Sequence, residues 1–239
     1  MLQLLVLYFL PDVIDHSVCQ VYPNTIALVI NQPNLLLLIH WFIAWTLRPE
    51  INTDASSNIS DLPESSLPPF NDKISIYHSA IAEFYTPSDI CGLKGMWCEH
   101  IHASPSWWKG TPHYDTIFVE TDPDSPGMLG IDVAQVHVFF SFDYNNTKYH
   151  CALVNWFSHV GHRPDKDTGM WVVHRHHNFN QHQISEVIDI DTVIHCSHLI
   201  VVYGAEHVSR DMKFSDLLYA FHTYYVNKYA DHHSFEIAV

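Results

Sequence analysis

Three potential metal ligands alternate along one short stretch of the chain, Cys98, His100 and His102. Thiolate sulfur and imidazole nitrogen are the ligands that zinc prefers in proteins, usually four to a site. If this stretch is a strand, side chains at alternate positions share one face, which permits chelation of a single ion. Cys91, seven residues upstream of Cys98, is a candidate fourth ligand. The spacing therefore allows a zinc site.

The other histidines add donors without the paired spacing that is typical of zinc sites. The chain holds 20 histidines, but none belongs to a CxxC or HxxxH pair. A zinc-binding domain, or a metal-dependent enzyme built on Cys and His clusters, is therefore the alternative hypothesis. Its further candidates are His174/His176/His177, His195/His198 and His232/His233.

Two polar motifs are candidates for a site or for a structural role. Pro87-Ser88-Asp89 is typical of a turn, in which the Asp89 carboxylate accepts backbone N–H groups. Asp231-His232-His233, with Glu236 nearby, could form a polar network or a site. Neither motif alone defines a reaction.

Residues 165–171 hold paired acids and a tryptophan. Asp165 and Asp167 could hold a metal or act as acid and base, although solvated loop acids are commoner. Trp171 and Trp156 are predicted to lie in the core. The functional alternative is an exposed aromatic cage that binds a modified lysine.

Established catalytic fingerprints are absent from the sequence. It contains no GxSxG nucleophile elbow, no phosphate-binding loop and no dinucleotide-binding fingerprint. We therefore predict no catalytic residue and no cofactor. If the alternative hypothesis of a metal-binding domain holds, the cofactor is zinc.

The charge balance argues against DNA binding by this chain alone. It has 26 acidic against 11 basic residues, a formal net charge of −15, whereas phosphate binding requires Lys and Arg. Five scattered cysteines form no disulfide framework and favour a reducing compartment over secretion.

The N-terminal third differs in composition from the rest. Residues 1–50 are predicted as an apolar leader, and residues 51–72, rich in Ser and Pro, as a linker. The apolar run Leu35–Leu47 has 13 residues, against about 20 for a membrane span, so a membrane-tethered protein is a lesser alternative.

Residues 73–239 are predicted to fold as one unit of short strands. Alternating or β-branched segments lie at 114–121, 133–142, 148–157, 170–174, 184–190 and 198–203, and 74–85 fits a strand or a helix. Asn145-Asn146 predicts a hairpin. The expected fold is mainly β, a small antiparallel barrel or sandwich. Apolar residues at helical spacing from Phe214 to Tyr225, with Ser215 as N-cap, predict a C-terminal helix.

Six segments in order resemble the C-terminal region of Plavaka-type transposases, proteins of fungal mobile elements related to the Kyakuja-Dileera-Zisupton group. The resemblance covers residues 73–239. The segments are KISIYHSAIAEFYTPSDICGLKGM (73–96), HYDTIFVETDPDSPGMLG (113–130), CALVNWF (151–157), DTGMWVV (167–173), HLIVVYG (198–204) and YYVNKYADHHSFEIA (224–238).

The resemblance implies a transposon-encoded protein located in the nucleus. The catalytic acidic core of this family lies upstream of the matching region, so no catalytic residue is carried over. The expected function is that of an accessory protein- or chromatin-interaction module, or an inert remnant. Asp167, Trp171, Asp231, His232, His233 and Glu236 lie within the matching segments.

Departures from the family pattern concentrate at arginine positions. The resemblance implies arginine at 97, 98, 100, 102, 113, 135 and 195, where this chain has Trp, Cys, His or Gln. Each replacement follows from one C-to-T change at a CG step of an arginine codon, the decay expected of methylated transposons. Only four arginines remain, Arg48, Arg163, Arg175 and Arg210. On this hypothesis the Cys98–His102 stretch records lost arginines rather than a metal site.

Overall fold

Antiparallel strands are the predominant regular element of the structure, a computed structural model that describes residues 19–47, 66–86, 95–106, 110–179, 182–204, 211–212 and 217–239. The helices are α1 (Pro23–Val29), α2 (Leu35–Leu47), α3 (Leu217–Ala220) and α4 (His232–Ile237). The strands are β1 (Cys19–Val21), β2 (Ile74–Tyr77), β3 (Ser79–Tyr85), β4 (Met96–Ser104), β5 (His113–Tyr114), β6 (Thr116–Glu120), β7 (Ile131–Tyr144), β8 (Thr147–His159), β9 (Val172–Arg175), β10 (Ser185–Asp189), β11 (Val193–Cys196), β12 (Leu199–Val201) and β13 (Thr223–Val226).

The long hairpin of β7 and β8 forms the centre of the larger sheet. Asn145 and Asn146 both have positive φ, 50° and 61°, the conformation that two-residue hairpins require, so the predicted hairpin is confirmed. β2 and β6 pair with β7, and β9 and β10 pair with β8. The sheet continues through β13 and β12 on one side and β11 on the other.

The central hairpin is covered on both faces. The smaller sheet, β3-β4-β5, packs Ala82, Phe84 and Ile101 against Val136 and Val154. Helices α1 and α2 cover the opposite face. A register shift between Val136 and Val138 changes which β7 side chains face each layer. The mainly β, sandwich-like prediction is thereby confirmed, and the sheets formed by the described residues do not close into a barrel.

The segment predicted as leader and linker contributes to this core. β1 pairs with β2, and Leu35, Ile39 and Phe42 of α2 are buried together with Phe142. Phe70 joins the same cluster. No helix in the described part of the chain is long and apolar enough to cross a membrane.

The long C-terminal helix predicted from Phe214 is wrong beyond Ala220. Phe214 and Ser215 lie outside the described residues, and Thr223–Val226 forms β13, hydrogen-bonded between β9 and β12. Tyr224 and Val226 are buried while Tyr225 between them is not, which is the two-residue period of a strand. The C-terminal helix is instead α4.

Candidate metal and carboxylate sites

The predicted Cys98–His102 stretch forms the strand β4, and Cys98, His100 and His102 share one face, as alternation requires. Side chains four residues apart on a strand are separated by about 13 Å, which is too far for Cys98 and His102 to bind one ion. Burial, followed by the charge of Glu83, raises the pKa of Cys98, which disfavours the thiolate that zinc needs. Cys91 lies outside the described residues.

His102 instead meets two residues of the neighbouring segment, His113 and Asp115. β4 and β5 pair with Ser104 opposite His113, so continuing this register places Asp115 opposite His102. The backbone N–H of Asp115 donates to the His102 carbonyl at 2.9 Å. His113 is two residues from Asp115 and therefore projects to the same side. Strand pairing alone thus brings two imidazoles and a carboxylate together.

The Asp115 carboxylate is the centre of this triad. Its Oδ2 accepts from the backbone N–H of His102 at 2.7 Å and contacts His102 Nδ1 at 3.1 Å. Its Oδ1 contacts His113 Nε2 at 2.8 Å. Burial raises the pKa of Asp115, but the hydrogen bonds from His102 and the charges of His113 and His102 outweigh it, and the net pKa is lowered. The carboxylate is therefore ionised at neutral pH and available to a cation.

A second polar cluster lies where β11 meets β3 and β4. It contains Glu99, His195, Asp231 and His233. Oε2 of Glu99 accepts from the Cys196 backbone N–H at 3.0 Å and lies 3.8 Å from Nδ1 of His195. The His195 and His233 rings are 4.9 Å apart.

An aromatic ring packs on the two histidines of this cluster. Phe84 stacks on His195 at 4.5 Å and on His233 at 5.2 Å. His195 is completely buried, and its Nε2 has no hydrogen-bond partner among the residues that the structure describes. Such an imidazole is costly to protonate.

The Glu99–His195 contact is not a strong ion pair. Burial raises the pKa of Glu99 to about 7, against smaller opposing effects such as the Cys196 hydrogen bond. Burial lowers the pKa of His195 to about 4, although the Asp231 charge opposes this. At neutral pH His195 is therefore uncharged, and Glu99 has no full cationic charge from it. Within the part of the chain that the structure describes, His195 is the ion-pair partner of Glu99, and at neutral pH it carries no charge.

The C-terminal motif has a structural role at helix α4. Asp231 is the N-cap: its Oδ1 accepts from the Ser234 backbone N–H at 2.8 Å, and its Oδ2 accepts from the Ser234 hydroxyl at 2.6 Å. His232 lies 3.7 Å from Glu236 one turn later. Of this motif, Asp231 and His233 reach the buried cluster with Glu99.

Asp167, Trp156 and Trp171 belong to neither group. Asp167 is exposed in a turn, where its backbone N–H donates to Asp165 Oδ1 at 3.2 Å. Trp171 is buried in the core, and Trp156 donates to Glu186 Oε2 at 2.7 Å, so the two do not form an open cage. Pro87, Ser88 and Asp89 lie outside the described residues.

Sequence reasoning missed Asp115 and Glu99. The His113-x-Asp115 spacing was an available signal, since i and i+2 share a face in any strand. Glu99 carried no such signal, because its burial depends on β11, which was not predicted. His113 was singled out only as an expected arginine position, and His195 both as such a position and, with His198, as a candidate metal ligand.

A comparison with family models, with curated proteins and with solved structures found no match to this chain.

Proposed function

We propose that this chain is a non-catalytic interaction module, a remnant of a transposon-encoded protein of the Plavaka type, that acts on a protein partner in chromatin. The proposal rests on the sequence resemblance. One spatial observation supports it: three positions where the resemblance implies arginine, 102, 113 and 195, each lie within 4.0 Å of a carboxylate.

An arginine at any of these three positions would have a carboxylate partner. Asp115 faces positions 102 and 113, and Glu99 faces position 195. A guanidinium carries a permanent charge and a planar fork of donors that matches a carboxylate, which imidazole does not reproduce. Burial raises the pKa of Glu99, and a guanidinium at position 195 would oppose that shift.

Restoring two of these arginines tests the origin of the chain. The double variant His102→Arg/His113→Arg is expected to raise the free energy of unfolding by about 1 kcal/mol, because both guanidinium groups can hydrogen-bond to half-buried Asp115. Urea unfolding at neutral pH measures the change. The control is His182→Arg, at an exposed position outside both polar groups. A double variant less stable than the unchanged chain would contradict the decay hypothesis.

The charge of the chain decides which chromatin component it fits. At −15 the chain repels DNA phosphates and complements basic protein surfaces such as histone tails. We expect binding to reconstituted nucleosomes that weakens as salt is raised, and no binding to the same duplex DNA without histones. Fluorescence anisotropy with the full chain, beside an unrelated protein of equal net charge, measures both.

Two outcomes would overturn this function. Duplex binding as tight as nucleosome binding would make the chain a DNA-binding protein in spite of its charge. Nucleosome binding no tighter than that of the charge-matched control would favour an inert remnant.

A further inference from the structure

We infer that His102, His113 and Asp115 form a binding site for one divalent transition-metal ion. Their side-chain ligand atoms all lie within 4.8 Å of one another, and each residue is half-buried. The inference depends only on the residues present in this chain and is independent of the proposed function. It also differs from the site predicted on Cys98, His100 and His102, since only His102 belongs to both.

The spacing of the three side chains is close to that of metal ligands. Bonds of about 2.0–2.2 Å from zinc to nitrogen and oxygen place neighbouring ligand atoms about 3–3.5 Å apart. Oδ2 of Asp115 lies 3.1 Å from Nδ1 of His102, and Oδ1 of the same carboxylate lies 2.8 Å from Nε2 of His113. An ion would replace the hydrogen bonds that now join each imidazole to the carboxylate, and small ring rotations would complete the site.

The ligand types select the class of ion. Imidazole nitrogen suits Zn²⁺, Cu²⁺, Fe²⁺ and Ni²⁺, whereas Mg²⁺ and Ca²⁺ prefer sites built from oxygen alone. Two histidines and one carboxylate leave at least one coordination position for water or a ligand. Zn²⁺ is therefore the first probe, and Co²⁺ is the spectroscopic substitute.

The backbone holds the carboxylate before any ion arrives. The His102 N–H donates to Asp115 Oδ2 at 2.7 Å, and the Asp115 N–H donates to the His102 carbonyl at 2.9 Å. The Asp115 carbonyl in turn accepts from the Val136 N–H of the larger sheet at 3.0 Å. Asp115 is thus fixed to both sheets, which reduces the entropy that metal binding must remove.

The neighbouring His100 supplies a matched control. Its ring stacks on His102 at 6.3 Å and lies on the same face of β4, but it is outside the triad. Removing it changes the number of nearby histidines without removing a proposed ligand. His113→Ala and Asp115→Asn each remove one ligand at a partly exposed position, so both variants are expected to fold.

The experiment measures Zn²⁺ binding to the full chain by isothermal titration and by metal analysis after dialysis. We expect one tight site per chain, affinity reduced by about tenfold or more in His113→Ala and Asp115→Asn, and no change in His100→Ala. Co²⁺ should give visible absorption bands that the two ligand variants lose. Circular dichroism of each variant confirms folding.

Two results would overturn the inference. One is the absence of a Zn²⁺ site in the folded chain. The other is Zn²⁺ binding that His113→Ala and Asp115→Asn leave unchanged, which would assign the ion to other members of the 20 histidines. Either result leaves the nucleosome experiment unaffected, so the two proposals fail separately.

Discussion

Replacing Glu99 by glutamine is expected to raise the free energy of unfolding at about pH 8 by on the order of 3 kcal/mol. Burial raises the pKa of Glu99 from its ordinary 4.5 to about 7, so ionising this carboxylate costs the folded state about 1.4 kcal/mol for each unit of the shift. Glutamine removes the charge and retains an oxygen that can accept from the Cys196 N–H.

The pH window follows from the sign of the shift. Below about pH 4.5 Glu99 is protonated in both the folded and unfolded states, and it has no effect on stability. As pH rises from about 4.5 to about 7, the unfolded chain loses the proton before the folded chain does, and stability falls. The gain from Glu99→Gln is therefore expected to be absent near pH 3.5 and complete near pH 8.

His195 acts in the opposite direction within the same cluster. Its pKa is lowered to about 4, so the unfolded chain takes up a proton first as pH falls from about 6.5, and stability falls with it. In the unchanged chain the two effects offset each other through this range. In Glu99→Gln the His195 effect remains, and stability is expected to rise with pH. The charges of Asp231 and Asp115 also raise the pKa of Glu99. Asp231 raises the pKa of His195, and His233 lowers it.

Urea unfolding of both proteins across this pH range measures the difference. Glu120→Gln, at an exposed carboxylate on β6, is the control and should change stability by less than about 0.5 kcal/mol. Equal stability of Glu99→Gln and the unchanged chain at both ends of the range would show that Glu99 is solvated or paired with a cation.

Sequence patterns predicted the centre of the fold because its two segments are rich in β-branched and aromatic residues. The β7-β8 hairpin was predictable from this composition and from Asn145-Asn146. β13 was not, because the apolar residues of 217–225 fit a helical period as well as a strand. Pairing with β9 and β12 decided the outcome. Strand pairing joins segments that are distant in the sequence, so the residues of 217–225 alone do not reveal it.

The candidate site shows the same limit. Alternation predicted that Cys98, His100 and His102 share a face, and they do. The register between β4 and β5 decides which of the three side chains meets a carboxylate, because it places Asp115 opposite His102. Register is set by the packing of whole sheets, so the sequence supplied the donor types and the fold selected among them.

Truncating Phe142 to alanine is expected to lower the free energy of unfolding by about 4 kcal/mol, the largest loss predicted here. Phe142 is 2% exposed and joins the central hairpin to the N-terminal segment. Its ring meets Phe42 of α2 edge-on at 6.2 Å, Phe70 at 5.0 Å and Tyr149 at 5.4 Å. Removing it leaves a cavity between the helices and the sheet.

The same variant decides whether residues 19–47 fold together with the strands. Phe42→Ala should cost a similar amount, and the double variant should cost less than the two single losses combined, since each ring packs on the other. Leu28→Ala, at a helix position that is 82% exposed, should lie within about 0.5 kcal/mol of the unchanged chain. Because the N-terminal helices and the central hairpin share one buried cluster, urea unfolding should show a single transition. Additive losses, or two separate transitions, would mean that the N-terminal helices are an appended leader rather than part of the sandwich.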